Sequence, residues 1–308
     1  MKNLRAIRLG VLLFGLALSP AAAAADGLPA WWLWPVILFA VAFLLGIVAV
    51  IGGIGGGVLF VPIVGSFFPF HLDFVRGAGL LLALAGTLAA GPVLLRSGLA
   101  HLRLVMPLAL AGSVASVAGA VLGLALPNDL VQVALGVTVI VVGFLLWRCK
   151  GSERFDVESD ALGELLRLRG QFEDPAAGMR IEWRTHRTIA GVAAFGAIGF
   201  FGGVFGLGAG FANVPALNLL MAAPLKVAVG SSGLVISIIN SSAAWVYINR
   251  GAVLPLLAVP SMLGIILGSR IGARLLHTMP AALVRRIVIA VMLVAGVRAL
   301  LRGLGLWA

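Results

Sequence analysis

The sequence predicts an all-α, polytopic transmembrane protein of two inverted-topology repeats with Gly-broken short helices, about 8–10 spans in all. Three observations carry that expectation. Hydrophobic residues fill 61% of the 308 positions against 11% charged, and the mean hydropathy is +1.14, more apolar surface than a soluble domain can bury. Apolar runs long enough to cross a bilayer recur along the chain. One ten-residue phrase is also written twice, as Gly53-Ile54-Gly55-Gly56-Gly57-Val58-Leu59-Phe60-Val61-Pro62 and as Gly206-Leu207-Gly208-Ala209-Gly210-Phe211-Ala212-Asn213-Val214-Pro215.

Taken in order, residues 1–25 read as a signal peptide or N-terminal anchor: Lys2, Arg5 and Arg8 precede an apolar stretch from Leu9 to Leu18, and alanines lead to Asp26. The first transmembrane repeat is expected over residues 31–148. It opens with Trp31 to Ile51, whose Trp31, Trp32 and Trp34 suit an aromatic belt at the outer edge. After the glycines, Val58 to Phe70 would rise only about 20 Å as a helix, short of a hydrocarbon core of about 30 Å, so a half-crossing is expected. Full runs follow at Phe74 to Leu95, Leu104 to Leu126 and Leu130 to Trp147. Residues 149–187 mix acidic and basic side chains and read as a charged cytoplasmic connector. Within it, Asp160 to Phe172 fits either a short amphipathic helix on the membrane surface or a solvated loop with one helical turn or two. The second repeat, 188–302, offers Thr188 to Val204, the short Phe211 to Met221, then Val227 to Ile248, Val253 to Leu276 and Leu283 to Leu301.

A single offset of 153 residues places Gly53, Gly55, Gly57, Gly77, Gly98, Gly119 and Gly143 on later glycines, and Pro62, Pro107 and Pro127 on Pro215, Pro260 and Pro280. Composition alone gives roughly two such glycines and under one proline, so the duplication is internal repetition. Loop charge predicts inversion. The turn with Arg96 and Arg103 is basic and the one at Pro127-Asn128-Asp129 is not; in the second half Arg250 stands alone, while Arg270, Arg274, Arg285 and Arg286 gather at the other turn. Only cytoplasmic loops accumulate Lys and Arg, so equivalent loops lie on opposite sides.

The same topology accounts for the net charge of +11, and no nucleic-acid partner is expected. The lone Cys149 excludes an internal disulfide, and His71, His101, His186 and His277 lack a second ligand at metal spacing, so no metal is expected. Neither a Ser/His/Asp grouping nor a phosphate loop is present, so neither an enzyme nor a cofactor is expected. Transport would then draw on an ion gradient or run downhill.

What the glycine phrase can do follows from its backbone. Helices that start after Gly57 and Gly210 leave their first N–H groups unpaired, and two such ends facing one buried place would hold a small anion. Candidate substrate-binding residues are therefore Gly53, Gly55, Gly57 and Pro62 with Gly206, Gly208, Gly210 and Pro215. Polar residues inside apolar runs, costly unless paired or wetted, add Asn213, Gly230-Ser231-Ser232, and Asn240, which falls on Thr87 under the repeat offset. Arg76 fits either attraction of anions or an interface anchor.

The doubled G-[IL]-G-x-G-x-x-x-V-P, each copy followed by a Gly-led segment, resembles the sulfite exporter family, the TauE/SafE-like membrane transporters. The resemblance covers roughly Trp31 to Trp147 and Thr188 to Leu301. Ala228-Val229-Gly230-Ser231-Ser232 matches the family's Ala-x-Gly-Thr-Ser-like segment, whereas Val75-Arg76-Gly77-Ala78-Gly79 lacks its hydroxyls. The resemblance implies a multi-pass transporter in the inner (plasma) membrane that exports small anions such as sulfite or organosulfonates. Its partners would be that anionic solute and the lipid bilayer, and homo-oligomerisation stays open. The alternative is a non-transporting membrane scaffold or assembly factor for a sulfur or metal enzyme.

Overall fold

The computed structural model describes residues 32–51, 56–96, 100–148, 160–174, 179–208, 210–275 and 281–306. The long apolar runs are helices: α1 (Leu33–Ile51), α3 (Leu72–Arg96), α4 (Leu102–Ala125), α5 (Asn128–Arg148), α7 (Thr188–Phe205), α9 (Leu225–Asn249), α10 (Pro255–Leu275) and α11 (Ala281–Gly303). Between them lie the short α2 (Gly56–Phe67) and α8 (Gly210–Pro215), the latter running into a π-helical segment, Ala216–Leu220. Among the described residues five helices are long and apolar enough to cross a membrane. The outward stripe of α4, with Met106, Leu110 and Val114 each more than 60% exposed, is apolar throughout, a surface that suits lipid and not water.

The connector corrects one expectation. Helix α6 covers only Ala161–Leu165, and the chain then pairs as an antiparallel hairpin of β1 (Arg169–Asp174) and β2 (Met179–Arg184). The hairpin wins because Leu168 and Trp183 can then be buried against α4 and α7 instead of lying on a membrane surface. Asp160 fastens its near end, its carboxylate accepting from the Thr188 amide at 2.9 Å and the Thr188 hydroxyl at 2.7 Å. Those hydrogen bonds hold the Asp160 carboxyl below its usual value of 3.8, outweighing the upward pull of burial, which is the largest single influence.

The two halves interlace. Helix α1 packs on α10, with Gly264 against Phe39, Gly268 against Phe43 and Gly272 against Ile47, so the pair runs parallel. The equivalent pair under the 153-residue offset, α7 and α4, packs the same way, Gly199 on Gly112 and Gly203 on Ser116. Helices that are copies of each other meet antiparallel instead. Gly77 near the start of α3 touches Ala252 just beyond the end of α9, and Gly303 at the end of α11 touches Asp129 and Val133 at the start of α5. Glycine makes these seams because a backbone without Cβ lets helix axes approach closely.

Helix α2 sits inside this arrangement. Residues Gly56 to Ser66 are all buried, packed among α1, α5, α10 and α11 in the largest hydrophobic cluster. At 12 residues it is about 18 Å long, as short as its run length predicts. A break in a membrane helix is tolerable where protein, not lipid, surrounds it.

Candidate functional site: the junction of two helix breaks

Helix α7 stops at Phe205 because the next residues turn left-handed, Gly206 at φ +66° and Gly208 at φ +62°. Side chains with a Cβ adopt that region at a cost of about 1–2 kcal/mol. The Gly210 amide closes the turn on the Gly208 carbonyl at 2.6 Å, and α8 begins.

The first break comes to the same place. A Cβ on Gly57, in the opening turn of α2, would lie 2.7 Å from both the Gly79 and the Leu207 carbonyl oxygens. One on Gly79 would meet the Gly206 carbonyl at 2.7 Å, and one on Gly208 would sit 2.7 Å from Asn240 Nδ2 and 2.8 Å from Ala83 Cβ. The two phrases, α3 and α9 therefore form one buried junction whose packing requires bare backbone. Asn240 is 1% exposed and Asn213, in α8, is 0% exposed; both polar atoms of each side chain lack a hydrogen-bond partner among the described residues. A buried amide left so costs about 1–3 kcal/mol.

The other sequence-predicted residues distribute unevenly. Gly53 and Gly55 lie outside the described residues. Pro62 is buried within α2, and Pro215, half-buried, closes α8. The Thr87 hydroxyl donates to carbonyls of its own helix, Ala83 and Leu84, both at 3.0 Å. Gly230, Ser231 and Ser232 are buried, but Ser231 precedes Asn240 along α9 by about 13 Å at 1.5 Å per residue. Its hydroxyl instead accepts from the His101 amide at 3.2 Å, at the entry to α4.

The ends of the broken helices are treated asymmetrically. A helix that stops leaves its last carbonyls unpaired. At α7 they are met by Arg76, fully buried, which donates to the Val204 carbonyl while pairing with Asp73 at 2.7 Å, and by the Tyr247 hydroxyl, which donates to Gly203 at 3.0 Å. At α2, Arg298 Nε donates to the Ser66 carbonyl at 3.1 Å and Arg302 to the Gly65 carbonyl at 2.7 Å. Arg76 thus caps the end of α7 from within the protein. At the opposite ends, neither α2 nor α8 has an acidic residue in its first turn. The carbonyl ends are thus met by the protein's own donors, while the amide ends carry no acidic side chain. Sequence reasoning passed over Tyr247, Arg298 and Arg302; that Tyr247 is the chain's only tyrosine, set within an apolar run, was the available signal.

Residues 38–299 match the family described as sulfite exporter TauE/SafE. The chain belongs to that family. The TauE/SafE match spans both glycine phrases, and with the helices described above it makes this a multi-pass membrane protein of a transporter family, not of an enzyme class. The chain is 32% identical over 108 residues to the probable membrane transporter protein YunE of Bacillus subtilis (strain 168), an alignment covering 34% of this chain and 40% of that relative. No solved structure matches.

Proposed function

We propose that this TauE/SafE protein is a secondary transporter of the inner (plasma) membrane that exports small sulfur-containing or organic anions, sulfite and organosulfonates being the leading class. The observation that carries the proposal is the junction itself. Two helix breaks, one from each repeat, abut at Gly57 and Leu207, and two buried asparagines nearby have donors to give. An anion held there would take backbone N–H groups from α2 and α8 and amide N–H groups from Asn213 and Asn240, with no charged side chain required. The antiparallel packing of equivalent helices supports two repeats inverted across the bilayer, with the connector on the cytoplasmic side.

Purified protein in proteoliposomes, loaded in turn with sulfite, sulfate, thiosulfate, methanesulfonate and acetate, tests the proposal. Protein-dependent flux of the sulfur anions, reduced in an N240L variant, is expected. A scaffold or assembly factor gives no flux for any anion.

A further inference from the structure

We propose that the connector hairpin and the start of α4 build a second anion site, a vestibule for small oxyanions at the face that carries the connector. The proposal extends the transport reading and rests on it for its role, though not for its chemistry. A cavity of about 310 Å³ lies between Ala100–Leu104 and the hairpin, lined by His101, Arg103, Leu168, Arg169 and Trp183. It contains two guanidinium groups and no carboxylate, and Arg103 and Arg169 make no ion pair among the described residues.

Two further sources of donors line it. Leu102 and Arg103 open α4, a helix of 24 residues, where the first backbone N–H groups have no partner within the helix and the dipole is positive. His101, at the capping position, supplies no side-chain cap. Independently, Trp183 is only 5% exposed and its indole N–H is buried without an acceptor among the described residues. A tryptophan in that state carries an unmet donor within the wall of the cavity.

The hairpin is shaped to hold the indole there. Gly170 stands opposite Trp183 in the strand register, and a Cβ on it would lie 2.9 Å from Trp183 Cζ2 and 3.0 Å from His101 Cε1. The bare strand lets the indole reach the His101 ring, at 5.0 Å between centroids. His101 in turn donates its amide to Ser231, beside Gly230 and Ser232, so one hydrogen bond links the cavity wall to the Gly230-Ser231-Ser232 segment of α9. A cationic pocket at that position raises the local concentration of anions ahead of the junction.

Tryptophan fluorescence of the full-length protein in detergent, titrated with sodium sulfite and sodium sulfate against sodium chloride at matched ionic strength, tests this. Expected is a saturable response that is lost in W183F and at least about tenfold weaker in both R169Q and R103Q/R169Q. R169Q lies in the connector, away from the membrane spans, and unaltered thermal unfolding shows that it folds. Wild-type titration by R169Q overturns the site. So does a response that appears only in phosphatidylglycerol nanodiscs, which would assign the pocket to a lipid headgroup. Flux separates the two readings. Binding at the vestibule with no flux sinks the transport proposal and leaves the site, whereas flux whose KM is unmoved in R103Q/R169Q sinks the vestibule and leaves transport.

Discussion

Alanine at Gly206 should cost far more than alanine at Gly251, although both glycines have nearly the same backbone, φ +66° and φ +67°. The left-handed conformation charges each variant about 1–2 kcal/mol. At Gly251 nothing lies within 4 Å of the added Cβ, so the cost ends there. At Gly206 the Cβ would stand 2.5 Å from the Arg76 carbonyl oxygen and 2.6 Å from its Cα. Backbone cannot rotate aside as a side chain can, so an overpacking term of about 1–3 kcal/mol is added. G206A should therefore lose roughly 2–5 kcal/mol and G251A roughly 1–2. The difference, in which the backbone term cancels, reports the closeness of the two repeats at the junction. Thermal unfolding of the two variants in one detergent measures it, at about 2–4 °C per kcal/mol for a chain somewhat smaller than this. Equal losses would refute the convergence of the α7 break on α3. G208A, whose neighbours Asn240 and Ala83 are side chains, should fall between them.

Four further outcomes follow from the same geometry. R76M should destabilise by about 2–4 kcal/mol in chemical or thermal unfolding, since it leaves Asp73 with only His71 and solvent and takes the charged donor from the Val204 carbonyl. Y247F removes a single neutral hydroxyl from the same carbonyl end and should cost only about 1–2 kcal/mol; a loss equal to that of R76M would contradict the division of labour drawn here. N240L and N213L, which replace unpartnered buried amides by apolar groups, should leave the unfolding midpoint level or raised while abolishing the stabilisation by sulfite, read by thermal shift. The Asp160 carboxyl, lowered on folding, contributes stability that is present above pH 3.8 and lost as pH falls through its folded-state value below that. D160N should accordingly speed amide exchange at the start of α7 at neutral pH, and the difference from wild type should vanish in strong acid.

Much of the fold was legible because a bilayer simplifies the code. Each long apolar run became a helix within a few residues of its expected ends, Thr188 to Val204 becoming Thr188–Phe205 for example. The half-helix after Gly57 could be read from length alone, since 12 residues cannot span. The connector misled because its leucines fit helical spacing, while what decided its structure was a long-range partner: Trp183 burying against His101 and α4. The glycine phrases pointed to the junction, yet nothing local distinguished Asn240, beside Gly208, from Ser231, held by the loop before α4. Those assignments depend on which helix lies alongside, information that spacing does not carry. The same holds for Arg298 and Arg302, whose acceptors on α2 are more than two hundred residues away in sequence.

The glycine seams between α1 and α10 and between α4 and α7 bear on how such a molecule can move. Each seam ties the opening helix of one repeat to the third long helix of the other, so the packing does not divide along the sequence repeats. Sliding one repeat past its twin would tear both contacts at once. Any opening that keeps these seams intact would carry α1 with α10 and α4 with α7 as mixed pieces, each drawing on both halves of the sequence.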